Sequence, residues 1–524
     1  MNALPTVAGD QDTWGDELNA WLLGYHKADG SAKLSPWQFM PEDYGAKGDG
    51  QVVGDAAMTS STATLTSSTA SFTSADVGKN IIVNGALGSS NAPLYTTILS
   101  ITDAHTIVLN ANATSTITNA AAFWATDDSA AIVSAVAAAS TYAQAHNWKA
   151  QVVFRDKSYG LATLTTTSGT GSTAAQNALV PIPYPNVNGT TRKLTIELIG
   201  VGENDAEQYF DSTIPSMVGT CLVATVAASG TLPSIIGGPN ASTNLTGTWA
   251  NTKVIIKGIA VWAGWNPGWI GFDLSQCSAC WIDGVSAQVV APAGGGQNPG
   301  VGALPPNTAG WGCIFPSNND AGAGRIVVEG FYRSVGVSPR TTIQKLFTQS
   351  SGYALFARAS SSAVTHGAHI GYWSCQIATV AIRCSATGGT MPLIIDFFDS
   401  AGTITTDVDD ANGCLVGSMN WSHDVSTSPT VIAGTTMKIT NLRLRPGPMS
   451  SPPSPPSSTS ASTPIFRDTK ITLSLSGGTL TALSIDSVDQ HIPANCVLLS
   501  FDLPSGHTYT PTYTGTLSND VTVM

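Results

Sequence analysis

Charged residues make up only 11% of this 524-residue chain, so acids that recur in similar settings stand out. Asp283 and Glu329 each close a β-branched stretch just before a glycine, Asp396 and Asp399 flank Phe397-Phe398, and Asp407, Asp409 and Asp410 crowd one turn. Paired carboxylates are what glycoside hydrolysis needs, one to protonate the leaving oxygen and one to act as nucleophile or base. Asp283 and Glu329 could share one face of a repeating sheet, or simply cap backbone at their turns. Asp396 and Asp399 would point to opposite faces of an uninterrupted strand, so they pair only if a bulge intervenes.

A lyase would instead gather basic groups to abstract a proton and steady the resulting anion. Arg325, Arg333, Arg340, Lys345, Arg358 and Arg383 are dispersed along the chain, without a cluster. Asp407-Val408-Asp409-Asp410-Ala411-Asn412-Gly413 resembles a calcium loop, but its glycine falls one position late and alanine takes a ligand position, so a solvated acidic turn is expected. Of eight cysteines, only Cys277 and Cys280 have metal-like spacing, and the four ligands of a structural zinc site are lacking. No metal or cofactor is expected. Trp262, Trp265 and Trp269 lie in a loop rich in Gly and Pro. Exposed indoles there would stack on the apolar faces of sugars, which makes them the candidate glycan-binding residues; packing against a neighbouring strand or subunit is the alternative.

These side chains need a frame. Leu194–Ile199, Val254–Val261, Cys280–Val285, Arg325–Phe331, His369–Trp373 and Leu393–Phe398 are short β-rich segments at spacings near one or two multiples of the low twenties. That period is a solenoid's, each coil adding a strand to stacked parallel sheets. Lys257-Gly258, Asp283-Gly284 and Glu329-Gly330 recur as corners, where glycine permits a sharp turn.

The coil has a recognisable beginning. Asp43-Tyr44-Gly45-Ala46-Lys47-Gly48-Asp49-Gly50 is too rich in glycine for a helix. Thr126-Asp127-Asp128-Ser129 starts one, with Asp127 or Asp128 as cap and Ile132, Ala135, Val136, Ala139 and Tyr142 at helical spacing. Val152-Val153-Phe154 and Tyr159-Gly160 follow. Together these segments resemble the opening of pectate-lyase-like right-handed parallel β-helix proteins, a group that holds polysaccharide lyases and hydrolases and also phage tailspikes and tail fibres. The resemblance implies that the helix caps the open end of the coil. It departs at Arg155-Asp156-Lys157-Ser158, where the family usually has a Pro-x-Gly turn.

Residues 1–40 carry Trp14, Leu18, Trp21, Leu22 and Tyr25 on one helical face, which docks either on this chain or on copies of itself. Their pattern is similar to the opening of phage tail fibre and minor tail proteins, which implies virion attachment and homotrimer formation. Within the coil, 41–445, short β runs over 58–123 predict an inserted small antiparallel β-domain. Phe72 to Lys79 within it is similar to insertions found in tailspikes; it either binds sugar or buttresses the shaft. Residues 446–463 are a Pro/Ser-rich linker, and 464–524 read as a C-terminal antiparallel β-domain similar to those closing actinobacteriophage minor tail proteins, either a receptor contact or a trimer clamp.

The expected fold is therefore mainly β: a right-handed parallel β-helix with a short N-terminal helix, an inserted small β-domain and a C-terminal antiparallel β-domain. A net charge of −12 leaves no basic footprint for nucleic acid. No basic segment precedes an apolar core near Met1, so no secretory leader is expected, and no apolar run suffices to insert in a membrane. With the resemblance, this implies a virion tail protein made in the bacterial host cytoplasm that contacts other tail proteins and a host-surface polysaccharide. The alternatives are a polysaccharide depolymerase and a purely structural tail spacer.

Overall fold

The computed structural model describes residues 35–88, 92–146, 149–167, 176–182, 194–202, 219–229, 232–237, 252–265, 268–275, 277–289, 309–316, 320–358, 367–384, 391–409, 415–423, 431–432, 436–444 and strand segments between 463 and 523. The expected helix around Trp14 and Trp21 and the linker after Arg445 lie outside them.

Three parallel sheets wind into one coil. Sheet A begins with Lys149–Val153, Leu194–Ile199, Thr252–Lys257 and Ala279–Asp283; sheet B with Ser158–Leu161, Thr220–Ala224, Ile259–Ala263 and Val285–Val289; sheet C with Gln176–Pro181, Ser234–Gly237, Ile270–Asp273 and Trp311–Ile314. Later strands, such as Thr341–Ala357 and Met391–Asp409, run through all three. Ile343, Ile370, Ile395, Met419 and Ile439 are successive register partners, at steps in the twenties that realise the repeat read from the sequence. The chain is a parallel β-helix.

Alternation along each strand sends one set of side chains inward. Ile326, Leu346, Trp373 and Phe398 form such an inward ladder, all fully buried. The indole N–H of Trp373 donates to Thr348 Oγ1 at 2.9 Å, so its polar atom is satisfied inside the core. Gly258 and Gly284 turn the same corner on successive rungs at φ +61° and +58°, in the left-handed region that disfavours other residues.

The helix Ser129–His146 closes the mouth, burying Ile132, Ala135, Val136, Ala139 and Ala143 in the coil core. Its two candidate caps divide the work. Asp127 Oδ1 accepts from the Ser129 N–H at 3.0 Å, and burial, which would raise its pKa, is outweighed by the hydroxyl and N–H groups around it. Asp128 instead turns back to accept from the N–H groups of Lys47 and Gly48 at 2.6 and 3.0 Å. Burial pushes its carboxyl up to about 6 despite those bonds.

Between Gly50 and Thr126 the chain forms a closed antiparallel barrel of Gln51–Met58, Thr64–Thr66, Thr106–Leu109, Ala92–Asp103, Asn80–Leu87 and Ile117–Ala125. Leu65, Ile81, Val83, Leu94, Ile107 and Trp124 fill it. Its outer residues Ile82, Phe123 and Ala125 pack on the outward side chains of sheet B, Cys221, Val223, Ala260 and Trp262. A Cβ on Gly50 would lie 2.7 Å from the Phe123 ring and 2.8 Å from Ser158 Cβ. Gly50→Ala is therefore expected to destabilise the junction by about 1–3 kcal/mol, read from its denaturation midpoint.

Past the coil, the strands from Thr463 to Val523 form two small antiparallel sheets.

Candidate functional site

The three tryptophans do not form a sugar platform. Trp262, Trp265 and Trp269 are 4%, 4% and 0% exposed. Trp265 and Trp269 belong to the coil core. Trp262 points outward from sheet B, where the barrel covers it. The Trp265 backbone N–H donates to Asn84 Oδ1 of the barrel at 3.3 Å, and the neighbouring Gly264 meets Pro93 and Tyr95 closely enough to exclude a side chain. Loop composition suggested exposure; the coil core takes up Trp265 and Trp269, and the docked barrel covers Trp262.

Nor do the candidate carboxylates come together in pairs. Lys257 and Asp283 are in register, so their glycines mark one corner on successive rungs, whereas Glu329-Gly330 turns the next corner round the coil. Asp283 therefore stands at the edge of sheet A, its Oδ1 accepting from the Arg325 N–H at 3.0 Å, and Glu329 ends a sheet B strand. Asp396 and Asp399 are separated by a corner, since Ile395 and Phe398 both point into the core. Asp396 is exposed and lies 2.8 Å from His369 Nε2. Asp409 pairs with Arg383 on sheet C; the side chains of Asp407 and Asp410 lie outside the described set. Among the described residues, no cluster of His, Cys, Asp or Glu could hold a metal. Cys277 and Cys280, the two with metal-like spacing, are buried in the coil core, and burial pushes the Cys280 thiol up. The basic residues stay dispersed: Arg333 stacks on Trp311 with its guanidinium 4.9 Å from the ring centre, and Arg358 donates to the Phe315 carbonyl.

A different constellation emerges on the outer face of sheet B, beyond the region the barrel covers. Arg325, Val327 and Glu329 face outward on one strand, because Ile326 and Val328 face in. Register places Phe347 and Gln349, then Ser374 and Gln376, then Asp399 on the following rungs, with Tyr372 beside them. Together they line a groove of about 270 Å³. The Arg325 guanidinium lies 5.2 Å from the Phe347 ring centre, Phe347 and Tyr372 are 5.8 Å apart, and Tyr372 stacks on Phe397 at 5.5 Å and 9°. This aromatic and cationic edge faces a floor of carboxamides, hydroxyl and carboxyl groups.

Glu329 is the unusual member. It is 5% exposed, and its Oε1 has no hydrogen-bond partner among the described residues. Burial pushes its carboxyl up to about 8, so it holds its proton at neutral pH. Ser286 Oγ and Gln288 Nε2, outward and buried on the preceding rung, likewise lack partners among the described residues. The Tyr372 hydroxyl reaches Asp399 Oδ2 at 3.4 Å at the other end of the groove.

Glu329 and Asp399 do not make a retaining hydrolase pair. Three rungs separate their strands, about 14 Å along the coil at a strand spacing of about 4.8 Å, against the roughly 5 Å such chemistry needs. The arrangement can bind: flat rings for sugar faces, and convergent donors and acceptors for sugar oxygens. Among its lining, Glu329 and Asp399 stand out in the sequence as acids. Phe347, Gln349, Tyr372, Ser374 and Gln376 do not, because only register brings them together.

No protein-family model and no curated protein matches the chain. Among solved structures, the tailspike protein gp49 from Pseudomonas phage LKA1 aligns over 90% of this chain and 81% of its own, at 10% identity and a TM-score of 0.24. The gp54 tailspike of Acinetobacter baumannii bacteriophage AP22, solved in complex with A. baumannii capsular saccharide, aligns over 90% and 83%, at 8% identity and a TM-score of 0.21. Scores this low decide nothing about this chain, whose fold rests on its own strand register.

Proposed function

We propose that this chain is a phage tail fibre or tailspike subunit that recognises a host-surface polysaccharide through the sheet B groove. The observation that carries the reading is the groove itself, an aromatic and arginine edge beside a polar floor on an exposed shaft. The resemblance of the opening segment to tailspike-type coils points the same way, as does the resemblance of residues 1–40 to virion-attachment segments. On this reading the N-terminal segment joins other tail proteins in the virion, the coil assembles as a homotrimer, and residues 464–524 form a distal unit on the 446–463 linker.

A depolymerase is the second reading, favoured by one observation, the protonated Glu329 as an acid in a groove. Its weakness is the missing partner carboxylate. Incubating the purified protein with host-envelope polysaccharide separates the readings. Retention without released fragments is expected; fragments would establish depolymerisation, and absence of both would leave a structural spacer. Replacing Phe347 and Tyr372 together by Ala is expected to weaken retention at least tenfold while leaving the native mass at that of a trimer. Unchanged retention would remove the groove as the site.

A further inference from the structure

We propose that the ligand of the sheet B groove is an acidic oligosaccharide, one sugar of which places its carboxylate against Glu329, on the rung that also carries Arg325, while hydroxyls of a sugar further along the chain reach Asp399 at the far end. This rests on the glycan-binding reading above and names the chemical class of the glycan.

The groove changes in charge from one end to the other. At one end Glu329 is nine-tenths buried, lines the groove, and has an oxygen without a partner among the described residues. A carboxyl held in its acid form is a donor as well as an acceptor. An O–H donated to a carboxylate makes a short, charge-assisted bond, roughly twice as strong as a neutral one. Sugar hydroxyls alone would be served as well by an ionised carboxylate, which a more exposed position would supply without the burial. Arg325 adds positive charge on the same strand.

At the other end the sign reverses. Asp399, met by the Tyr372 hydroxyl, repels a carboxylate and accepts from hydroxyls. The titratable and charged groups lining the groove around Glu329 are Arg325 on its own strand and Tyr372 and Asp399 on later rungs; Gln349 and Gln376 do not titrate. This asymmetry orients an acidic sugar along the coil axis.

The test uses the full-length protein in calorimetric titrations with oligoglucuronate and oligosialate, which carry the same group on different sugars, and with their carboxyl-reduced counterparts. At pH 6 at least one acidic oligomer is expected to bind at least tenfold more tightly than its reduced form. Between pH 6 and 9 its affinity for the wild type is expected to fall at least tenfold. Glu329→Gln, which keeps an N–H donor at both pH values, is expected to bind with little pH dependence, and Glu329→Ala to bind at least tenfold more weakly at pH 6. Equal binding of the reduced oligomers, binding of none, or the same pH loss in Glu329→Gln would overturn the assignment. Retention of host-envelope polysaccharide, measured beside these, distinguishes the failures: retained polysaccharide with any of those results removes only the anionic class, whereas no retention removes the glycan-binding reading with it.

Discussion

Glu329→Gln is expected to stabilise the protein at neutral pH, the reverse of what most substitutions at buried positions do. Burial raises the Glu329 carboxyl from 4.5 to about 8, so the native state keeps a proton that the unfolded chain releases within that interval. Stability is therefore fully present below about pH 4.5 and is lost as pH rises through about 8. Each unit corresponds to about 1.4 kcal/mol, so the penalty reaches about 3 kcal/mol by pH 7. A glutamine of nearly the same shape needs no proton and escapes it. Denaturant titrations at pH 5, 7 and 8 should show the wild type losing stability with pH and the variant losing much less. Parallel curves would mean that Glu329 is ionised and solvated in the native state.

Trp269→Ala is expected to lower stability by about 3–5 kcal/mol while leaving glycan retention unchanged at temperatures where the variant remains folded. The indole is fully buried in the coil core, alongside Phe272 and Leu274, and its removal opens a cavity between packed rungs. A loss of retention with no loss of stability would return the tryptophans to the surface role their sequence context suggests.

What could be read from the sequence and what could not divides along the range of the interaction. Alternating β-branched segments and corner glycines report geometry within one rung, and they gave the coil, its closing helix and the position of the first corners correctly. Register between rungs is not local. Asp283-Gly284 and Glu329-Gly330 are equivalent dipeptides in the sequence, yet they turn different corners because the strand from Asp320 to Glu329 spans two sheets. The same limit hid the groove: Phe347, Tyr372 and Asp399 are meaningful only once neighbouring rungs are aligned. The tryptophan loop failed for another reason. Gly264 and its neighbours look like an exposed turn until the barrel, inserted far earlier in the chain, docks against them.

The barrel also bears on the order of events as the chain folds. Asp49 and Thr126 are 77 positions apart in the sequence, yet the Asp49 carboxylate accepts from the Thr126 N–H at 2.9 Å and is also met by Lys79 of the barrel. Three hairpins supply the barrel's local contacts, which form early, and the pairing of Gln51–Val53 with Ala122–Trp124 then joins its distant ends. Its closure brings Lys47 and Gly48 beside Asp128 without the entropy loss of closing a long flexible loop. Nucleation of the coil at its mouth thereby becomes a short-range event, and the remaining rungs add to an end that already exists.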